Sequence, residues 1–112
     1  MKKIEAIIRP TKLGSVRLAL KEIGSPGLMV TEIEGHGKQK GITRQWRGKE
    51  YKVELLSKIK IEVVAHDKDV DKIMKAIADA AGTGEIGDGK IFVYPVENAM
   101  RIRTGEKGDS AI

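Results

Sequence analysis

The segment SKIKIEVVA, residues 57–65, decides the fold prediction for this chain. Apolar and charged side chains alternate along it, from Ile59 to Val63 on one face and from Lys58 to Glu62 on the other. A repeat of two residues is that of a strand with one buried and one exposed face. We therefore predict a half-buried β-strand here.

Outward from this strand, the patterns predict three more strands and two helices. Further strands are predicted at residues 2–9, 28–34 and 90–96. Apolar residues recur at helical spacing over Leu13–Ile23 and Val70–Ala81. The order strand–helix–strand–loop–strand–helix–strand predicts an α+β, ferredoxin-like split β-α-β fold (βαββαβ), an antiparallel four-stranded sheet with two helices on one face.

Length and composition limit the classes of protein that fit. The chain has 112 residues, so we expect one domain, residues 1–112. It contains no cysteine, which excludes a disulfide framework and a thiolate metal site. Apolar runs are far shorter than the ~20 residues of a membrane span, and no signal-peptide pattern precedes the first strand. We expect a cytoplasmic protein.

The excess of positive over negative charge is confined to the long loop between the second and third predicted strands. The formal net charge is +5, and the window from Gly37 to Lys52 holds six basic residues against one acidic residue. The rest of the chain has equal numbers of the two signs. Neither the helix nor the strand repeat holds in this loop. A loop this long without regular structure usually either has a function or is disordered.

Aromatic and basic side chains near the tip of this loop are candidates for partner contact. The candidates are Arg44, Trp46, Arg47 and Tyr51. Large aromatic residues in a polar segment anchor interfaces at low entropic cost. The alternative is that Trp46 and Tyr51 fold back onto the domain.

Two glycine-rich segments and an arginine pair are candidate anion sites. Residues 84–91 match part of a phosphate-loop pattern, but Ile91 replaces the magnesium-binding hydroxyl residue and a strand follows, so we exclude a P-loop nucleoside triphosphatase. Glycine N–H groups beside Lys90 still suit an anion; a simple turn fits equally well. Residues 35–41 form either a similar site or a solvated linker. Arg101 and Arg103, two apart on a predicted strand, suit a phosphate between them or a charged edge strand.

No catalytic arrangement is visible, so we expect a binding protein and not an enzyme. His36 and His66 lack a partner at metal-ligand spacing. An acylphosphatase-like enzyme would need an arginine–asparagine pair, and Asn98 is the sole asparagine. An RNA-recognition domain shares the element order but needs exposed aromatics on central strands. We expect Phe92 and Tyr94 on opposite faces, against that alternative.

Together these segments resemble the PII nitrogen regulatory (signal transduction) protein family. The likeness runs from Met1 to Ile112, and no single motif decides it. It rests on five stretches in register, at residues 1–10, 35–41, 46–51, 83–93 and 101–106. Three departures from the family pattern are Met29 for threonine, Lys38 for arginine and Lys49 for serine.

The resemblance implies a homotrimer that binds ATP or ADP in clefts between subunits. The implied nucleotide-binding residues are Met29, Gly37, Lys38, Gln39, Glu62, Val64, Gly87, Asp88, Gly89, Lys90, Arg101 and Arg103, with the two arginines reaching in from the neighbour. 2-Oxoglutarate would bind with Mg²⁺ and ATP. The implied residues are Arg9, Gln39, Lys40, Gly41, Lys58 and Gly87, with Gln39 on the metal.

The resemblance also implies that the loop, residues 37–55, is the family's T-loop. It would regulate an ammonium transporter or a nitrogen-metabolism enzyme or regulator, in a conformation set by ATP, ADP and 2-oxoglutarate. Tyr51 stands at a position that many bacterial members modify. The resemblance implies no nucleic acid partner, and contact with a membrane only through a partner.

Overall fold

The computed structural model describes residues 1–35, 43–46, 49–52 and 56–112, with side chains described outside residues 35–55. It confirms the predicted order of strands and helices. The elements are β1 Lys2–Ile8, α1 Leu13–Glu22, β2 Leu28–Gly35, β3 Thr43–Trp46, β4 Lys49–Lys52, β5 Leu56–Ala65, α2 Val70–Ala81 and β6 Gly89–Pro95. Short 3₁₀ turns precede both helices, at Pro10–Lys12 and Asp67–Asp69.

The main sheet has the strand order β2-β5-β1-β6, and every neighbouring pair is antiparallel. Alternate residues of β1 and β5 are buried, as the two-residue repeat predicts. They pack with the apolar stripes of both helices into one core. Its members are Ile4, Ala6, Ile8, Val16, Leu20, Ile59, Ile61, Val63, Ala65, Val70, Ile73, Ile77 and Ala81. This is the ferredoxin-like fold.

The opposite side of the sheet, here called the open face, carries an ion-pair network. Lys60 Nζ lies 3.8 Å from Glu5 Oε1 and 3.7 Å from Glu62 Oε1, and Lys3 Nζ lies 3.2 Å from Glu62 Oε2. Glu5 and Glu62 are direct cross-strand partners. Two like charges in that position destabilise a sheet, so Lys60 between them offsets their repulsion.

The prediction that Phe92 and Tyr94 lie on opposite faces is wrong. Phe92 pairs with Glu5 and Tyr94 pairs with Lys3, so both lie on the open face. The reason is the strand repeat itself, because residues two apart point to the same side. Both rings are exposed, and the Tyr94 hydroxyl donates to Glu5 at 2.7 Å.

The long loop is not wholly irregular, contrary to the prediction. Its described residues include β3 and β4, which pair antiparallel with Thr43 opposite Lys52 and Trp46 opposite Lys49. Each strand has only four residues. A two-residue repeat of apolar and polar side chains cannot be recognised in charged segments of four residues. Their aromatic and β-branched residues nevertheless favour strands.

The predicted strand at Met100–Arg103 is also wrong. Met100 forms one isolated bridge with Lys107, and residues 102–104 form a turn. The Gly105 N–H donates to the Arg101 carbonyl at 2.8 Å, and Gly105 has φ +74°, a left-handed conformation that glycine adopts at little cost. Arg101 and Arg103 therefore do not share a strand face.

Gly89 allows β6 to start in close contact with β1. Its φ is +105°, and an added Cβ would overlap the Ile7 carbonyl oxygen. Only glycine fits this position, since both the backbone conformation and the space exclude a side chain.

We expect Gly89→Ala to lower the free energy of unfolding by about 2 kcal/mol or more, from strain plus overlap with backbone. The measurement is urea unfolding at one fixed protein concentration. Gly14→Ala is the matched control, since an added Cβ meets nothing within 4 Å there. In helix α1 that change should raise stability by roughly 0.5–1 kcal/mol. Wild-type stability in Gly89→Ala would contradict the contact.

Candidate anion-binding site

The glycine loop, residues 82–88, joins α2 to β6 and lies beside the end of β1. The sheet register sets this position, because Gly89 pairs with Ile8 and Lys90 pairs with Ile7. Six predicted site residues gather here. They are Arg9, Lys58, Gly87, Asp88, Gly89 and Lys90. The loop leads into a strand and not into a helix, which confirms the exclusion of a P-loop.

The Asp88 carboxylate closes the glycine loop from inside. Its Oδ2 accepts from the backbone N–H of Thr83 at 2.7 Å and of Gly84 at 2.9 Å. Its Oδ1 accepts from the Thr83 hydroxyl at 2.5 Å and from Arg9 Nε at 3.2 Å. These donors, first of all the Thr83 hydroxyl, hold the pKa of Asp88 well below its ordinary value. The anion in this part of the loop is therefore the protein's own.

Two cations approach the glycine loop from the end of the sheet. Arg9 Nη2 donates to the Ile86 carbonyl at 2.8 Å, and Lys58 Nζ donates to the Gly87 carbonyl at 2.8 Å. Burial lowers the pKa of Lys58, and the charge of Arg9 lowers it further. The second effect shows that two positive charges lie close together here, so a bound anion would be stabilised.

A cavity of about 400 Å³ opens beside Lys58 where the ends of β2 and β5 meet. Its lining residues are Pro10, Glu32, Ile33, Glu34, Ser57, Lys58 and Ile59. Lys58 thus borders both this cavity and the glycine loop, and its ammonium group contacts the Gly87 carbonyl of that loop.

A second group of predicted site residues lies away from the glycine loop. Met29 is opposite Glu62, and Val64 is opposite Lys3, all on the open face. Arg101 and Arg103 follow β6 in the C-terminal segment. Arg101 Nη1 lies 3.0 Å from Glu106 Oε1, and its Nη2 donates to the Ser110 carbonyl at 3.3 Å, whereas Arg103 is exposed.

One chain does not bring these two groups together. Gly89 pairs with Ile8 at one end of β1, and Pro95 pairs with Lys2 at the other end. The C-terminal segment continues from Pro95. Six residues of strand span about 20 Å. The Asp109 carboxylate lies 3.9 Å from the N-terminus of Met1, and the neighbouring Ser110 carbonyl accepts from Arg101, so Arg101 lies at the opposite end of the sheet from the glycine loop.

The remaining predicted residues fall in the long loop. Gly37, Lys38, Gln39, Lys40, Gly41 and Arg47 lie outside the described residues. Arg44, Trp46 and Tyr51 belong to β3 and β4, where the backbone alone is described. Sequence reasoning missed Thr83 as a functional residue. The available signal was a threonine directly after the helix-ending Gly82, five residues before an aspartate.

Within the described parts of the chain, no cluster of three or more acidic or histidine residues is arranged to hold a metal ion. No described helix is long and apolar enough to cross a membrane. Fold and loop together define a ferredoxin-like protein with a cationic, glycine-rich site at one end of its sheet.

Comparison with known proteins agrees with this class and narrows it. The model of the nitrogen regulatory protein P-II family matches residues 1–106. The chain is 60% identical to a nitrogen regulatory protein P-II of Azospirillum brasilense and 59% identical to one of Rhodospirillum rubrum, each over the full length of both chains. It is 52% identical to P-II 2 of Methanothermobacter thermautotrophicus, covering 97% of that protein. The chain belongs to the P-II nitrogen regulatory protein family.

The lowered pKa of Asp88 predicts a stability contribution that acid removes. Its folded pKa lies below the ordinary 3.8. A carboxylate with a lowered pKa contributes fully above its unfolded pKa, and the contribution is lost as pH falls through the folded value. The unfolding free energy difference between wild type and Asp88→Asn should be constant from about pH 7 to 5 and should shrink below about pH 4.

Urea unfolding at a series of pH values measures this difference. Asp79→Asn is the control, because Asp79 pairs with Lys75 on an exposed helix surface and such pairs contribute little. A difference for Asp88→Asn that stays constant down to about pH 3 would show that the native loop does not favour the ionised carboxylate.

Proposed function

We propose that this protein is a nitrogen- and energy-status signalling protein. It binds ATP or ADP and, together with Mg²⁺ and ATP, 2-oxoglutarate, and it regulates partners through its T-loop, residues 37–55. Family membership supports nitrogen regulation, and the relatives are named as regulatory proteins. The observation that carries the ligand proposal is the approach of Arg9 and Lys58 to the glycine loop.

The nucleotide site is shared between subunits of a homotrimer. The glycine loop and Arg101 lie at opposite ends of the sheet, so we place a ligand that contacts both between two chains. Gly87, Gly89 and Lys90 of one subunit would meet Arg101 and Arg103 of its neighbour. Gly37, Lys38 and Gln39 are proposed to join the phosphate-binding side.

The open face supports an oligomer through its exposed apolar surface. Met29 is 56% exposed, Phe92 44% and Tyr94 42%, and all three point away from the core. Burying such residues against another subunit is favourable. Met29, Glu62 and Val64 would then face the neighbouring subunit and line the pocket for the nucleoside.

A nucleotide phosphate would take over a role that Glu106 now plays. The Glu106 carboxylate holds the Arg101 guanidinium in place at 3.0 Å. A phosphate offers the same planar arginine a bidentate, more highly charged partner. Arg101 is thus ordered before the ligand arrives, which lowers the entropic cost of binding.

2-Oxoglutarate has two carboxylates, and the end of the sheet offers two cations. Lys58, beside its cavity, suits one carboxylate, and Arg9 contributes positive charge next to it. Gly87 lies within reach through its contact with Lys58. The residues proposed to complete the site are Gln39, which would also bind Mg²⁺, and Lys40 and Gly41.

The T-loop is the proposed output. Arg44, Trp46, Arg47 and Tyr51 would contact an ammonium transporter or a nitrogen-metabolism enzyme or regulator in the cytoplasm, and Tyr51 is a candidate for covalent modification. Each ligand favours the loop conformation that it binds more tightly, so ligand state sets the population of partner-binding forms. Contact with a membrane is through a partner.

An RNA-recognition function is the second candidate, because Phe92 and Tyr94 share the open face. Two observations weigh against it. Both rings lie on β6, an edge strand, and Tyr94 is hydrogen-bonded to Glu5. Glu5 and Glu62 also pair with Lys3 and Lys60, so this ion-pair network offers no net positive charge to a nucleic acid backbone. Tight RNA binding with a steep salt dependence in filter assays would favour this second candidate.

Calorimetry tests the signalling proposal. We expect wild-type protein to bind ATP and ADP, and to bind 2-oxoglutarate when Mg²⁺ and ATP are present. Lys58→Met should weaken 2-oxoglutarate binding at least tenfold, the effect of losing one charged contact of about 1.5 kcal/mol, while ATP binding persists. Lys68→Met, at an exposed position in the turn before α2, is the control.

Two results would contradict this mechanism. Failure of wild-type protein to bind ATP at millimolar concentration would reject the sensor function. Equal binding of 2-oxoglutarate with and without Mg²⁺ and ATP would reject the shared site.

A further inference from the structure

We infer that the Asp88 carboxylate positions the glycine loop for phosphate binding, through Thr83 and Gly84, and that this carboxylate does not itself contact the nucleotide. This inference rests on the proposed nucleotide function, since phosphate is the ligand concerned. It limits the expected contact of Asp88 with the nucleotide to its backbone N–H.

The acceptor capacity of the carboxylate is already used. An ionised carboxylate has about four acceptor positions, two on each oxygen. Oδ1 accepts from the Thr83 hydroxyl and from Arg9 Nε, and Oδ2 accepts from the N–H groups of Thr83 and Gly84. All four donors belong to this chain, so a ligand donor or a hydrated metal ion would have to displace one of them.

The orientation of two loop carbonyls determines where the backbone N–H groups of Gly87 and Asp88 point. The Ile86 carbonyl accepts from Arg9, and the Gly87 carbonyl accepts from Lys58. In a planar trans peptide, the C=O of one residue and the N–H of the next point in opposite directions. The N–H groups of Gly87 and Asp88 therefore point away from these two side chains.

Glycine conformations extend this arrangement. Gly87 has φ +102° and Gly89 has φ +105°, on either side of Asp88. Turn conformations of this kind let successive backbone N–H groups converge on an anion. The side chain of Asp88 closes the first half of the loop, while its backbone lies in the second half, beside Lys90. One residue thus ties the loop shut and presents its own N–H to the ligand.

Electrostatics and positioning predict opposite effects for the loss of the Asp88 charge. A carboxylate near a bound phosphate repels it, so removing only that charge would tighten ATP binding. A positioning role predicts weaker binding, because without the carboxylate the N–H groups of Thr83 and Gly84 lose their acceptor and the loop loses its shape. The sign of the change distinguishes the two.

The first arm of the test is calorimetry with ATP and ADP on wild type, Asp88→Asn and Asp79→Asn. We expect Asp88→Asn to weaken both nucleotides about tenfold, and Asp79→Asn, with the same charge change on the surface of α2, to match wild type. Unchanged or tighter ATP binding by Asp88→Asn would overturn the inference.

Thr83 supplies a second pair of variants should Asp88→Asn not fold. Thr83→Ser keeps the hydroxyl donor and should bind ATP as wild type does. Thr83→Val keeps the shape but removes the donor to Oδ1, and should weaken ATP binding several-fold. Equal binding by the serine and valine variants would overturn the role of this contact.

The second arm needs no ligand. Amide hydrogen exchange of Thr83 and Gly84, followed by NMR, should be protected in wild type and at least tenfold faster in Asp88→Asn, with Asp79→Asn unchanged. Unaltered protection in Asp88→Asn would overturn the positioning role. Wild-type protein that shows this protection yet binds no ATP would reject the nucleotide function while leaving the loop's internal closure intact.

Discussion

β1 hydrogen-bonds to β5 on one side and to β6 on the other, and this double pairing sets the locations of the candidate site residues on β5 and β6. Ile8, at one end of β1, pairs with Gly89 and so sets the position of the glycine loop. Lys2, at the other end, fixes Pro95 and the start of the C-terminal segment. The side chains of β1 alternate between the core and the open face. The glycine loop and Arg101 therefore lie near opposite ends of β1, about 20 Å apart, and the proposed ligand would join these two half-sites across an interface.

Internal carboxylates hold both half-sites in order before a ligand binds. Asp88 holds Arg9 and the first half of the glycine loop, and Glu106 holds Arg101. Ordered cations and N–H groups reduce the entropy lost on binding. The two carboxylates differ in their proposed fate. Asp88 remains bound within its loop, whereas the Glu106 carboxylate gives way to phosphate, because it is exposed and meets the Arg101 guanidinium through a single contact.

The fold was predictable from the sequence because the strand and helix repeats are strong where one face is buried. Residues 57–65 show this best. The short hairpin of β3 and β4 and the turn at residues 102–104 were not predictable in the same way. The hairpin strands are too short for a repeat, and a left-handed glycine at residue 105 decides the turn. The glycine loop was found as a candidate, but the internal role of Asp88 depends on where the fold places Arg9 and Thr83.

The most direct test of the shared site is complementation between two defective subunits. Lys90→Ala removes a cation beside the glycine loop, and Arg101→Ala removes one from the other half-site, so each variant alone should bind ATP weakly. When both are co-expressed, random assembly into a cyclic oligomer should restore about a quarter of the sites, each built from the intact half of each chain. ATP binding by the mixed oligomer that is no better than the average of the two variants would contradict a site shared between subunits.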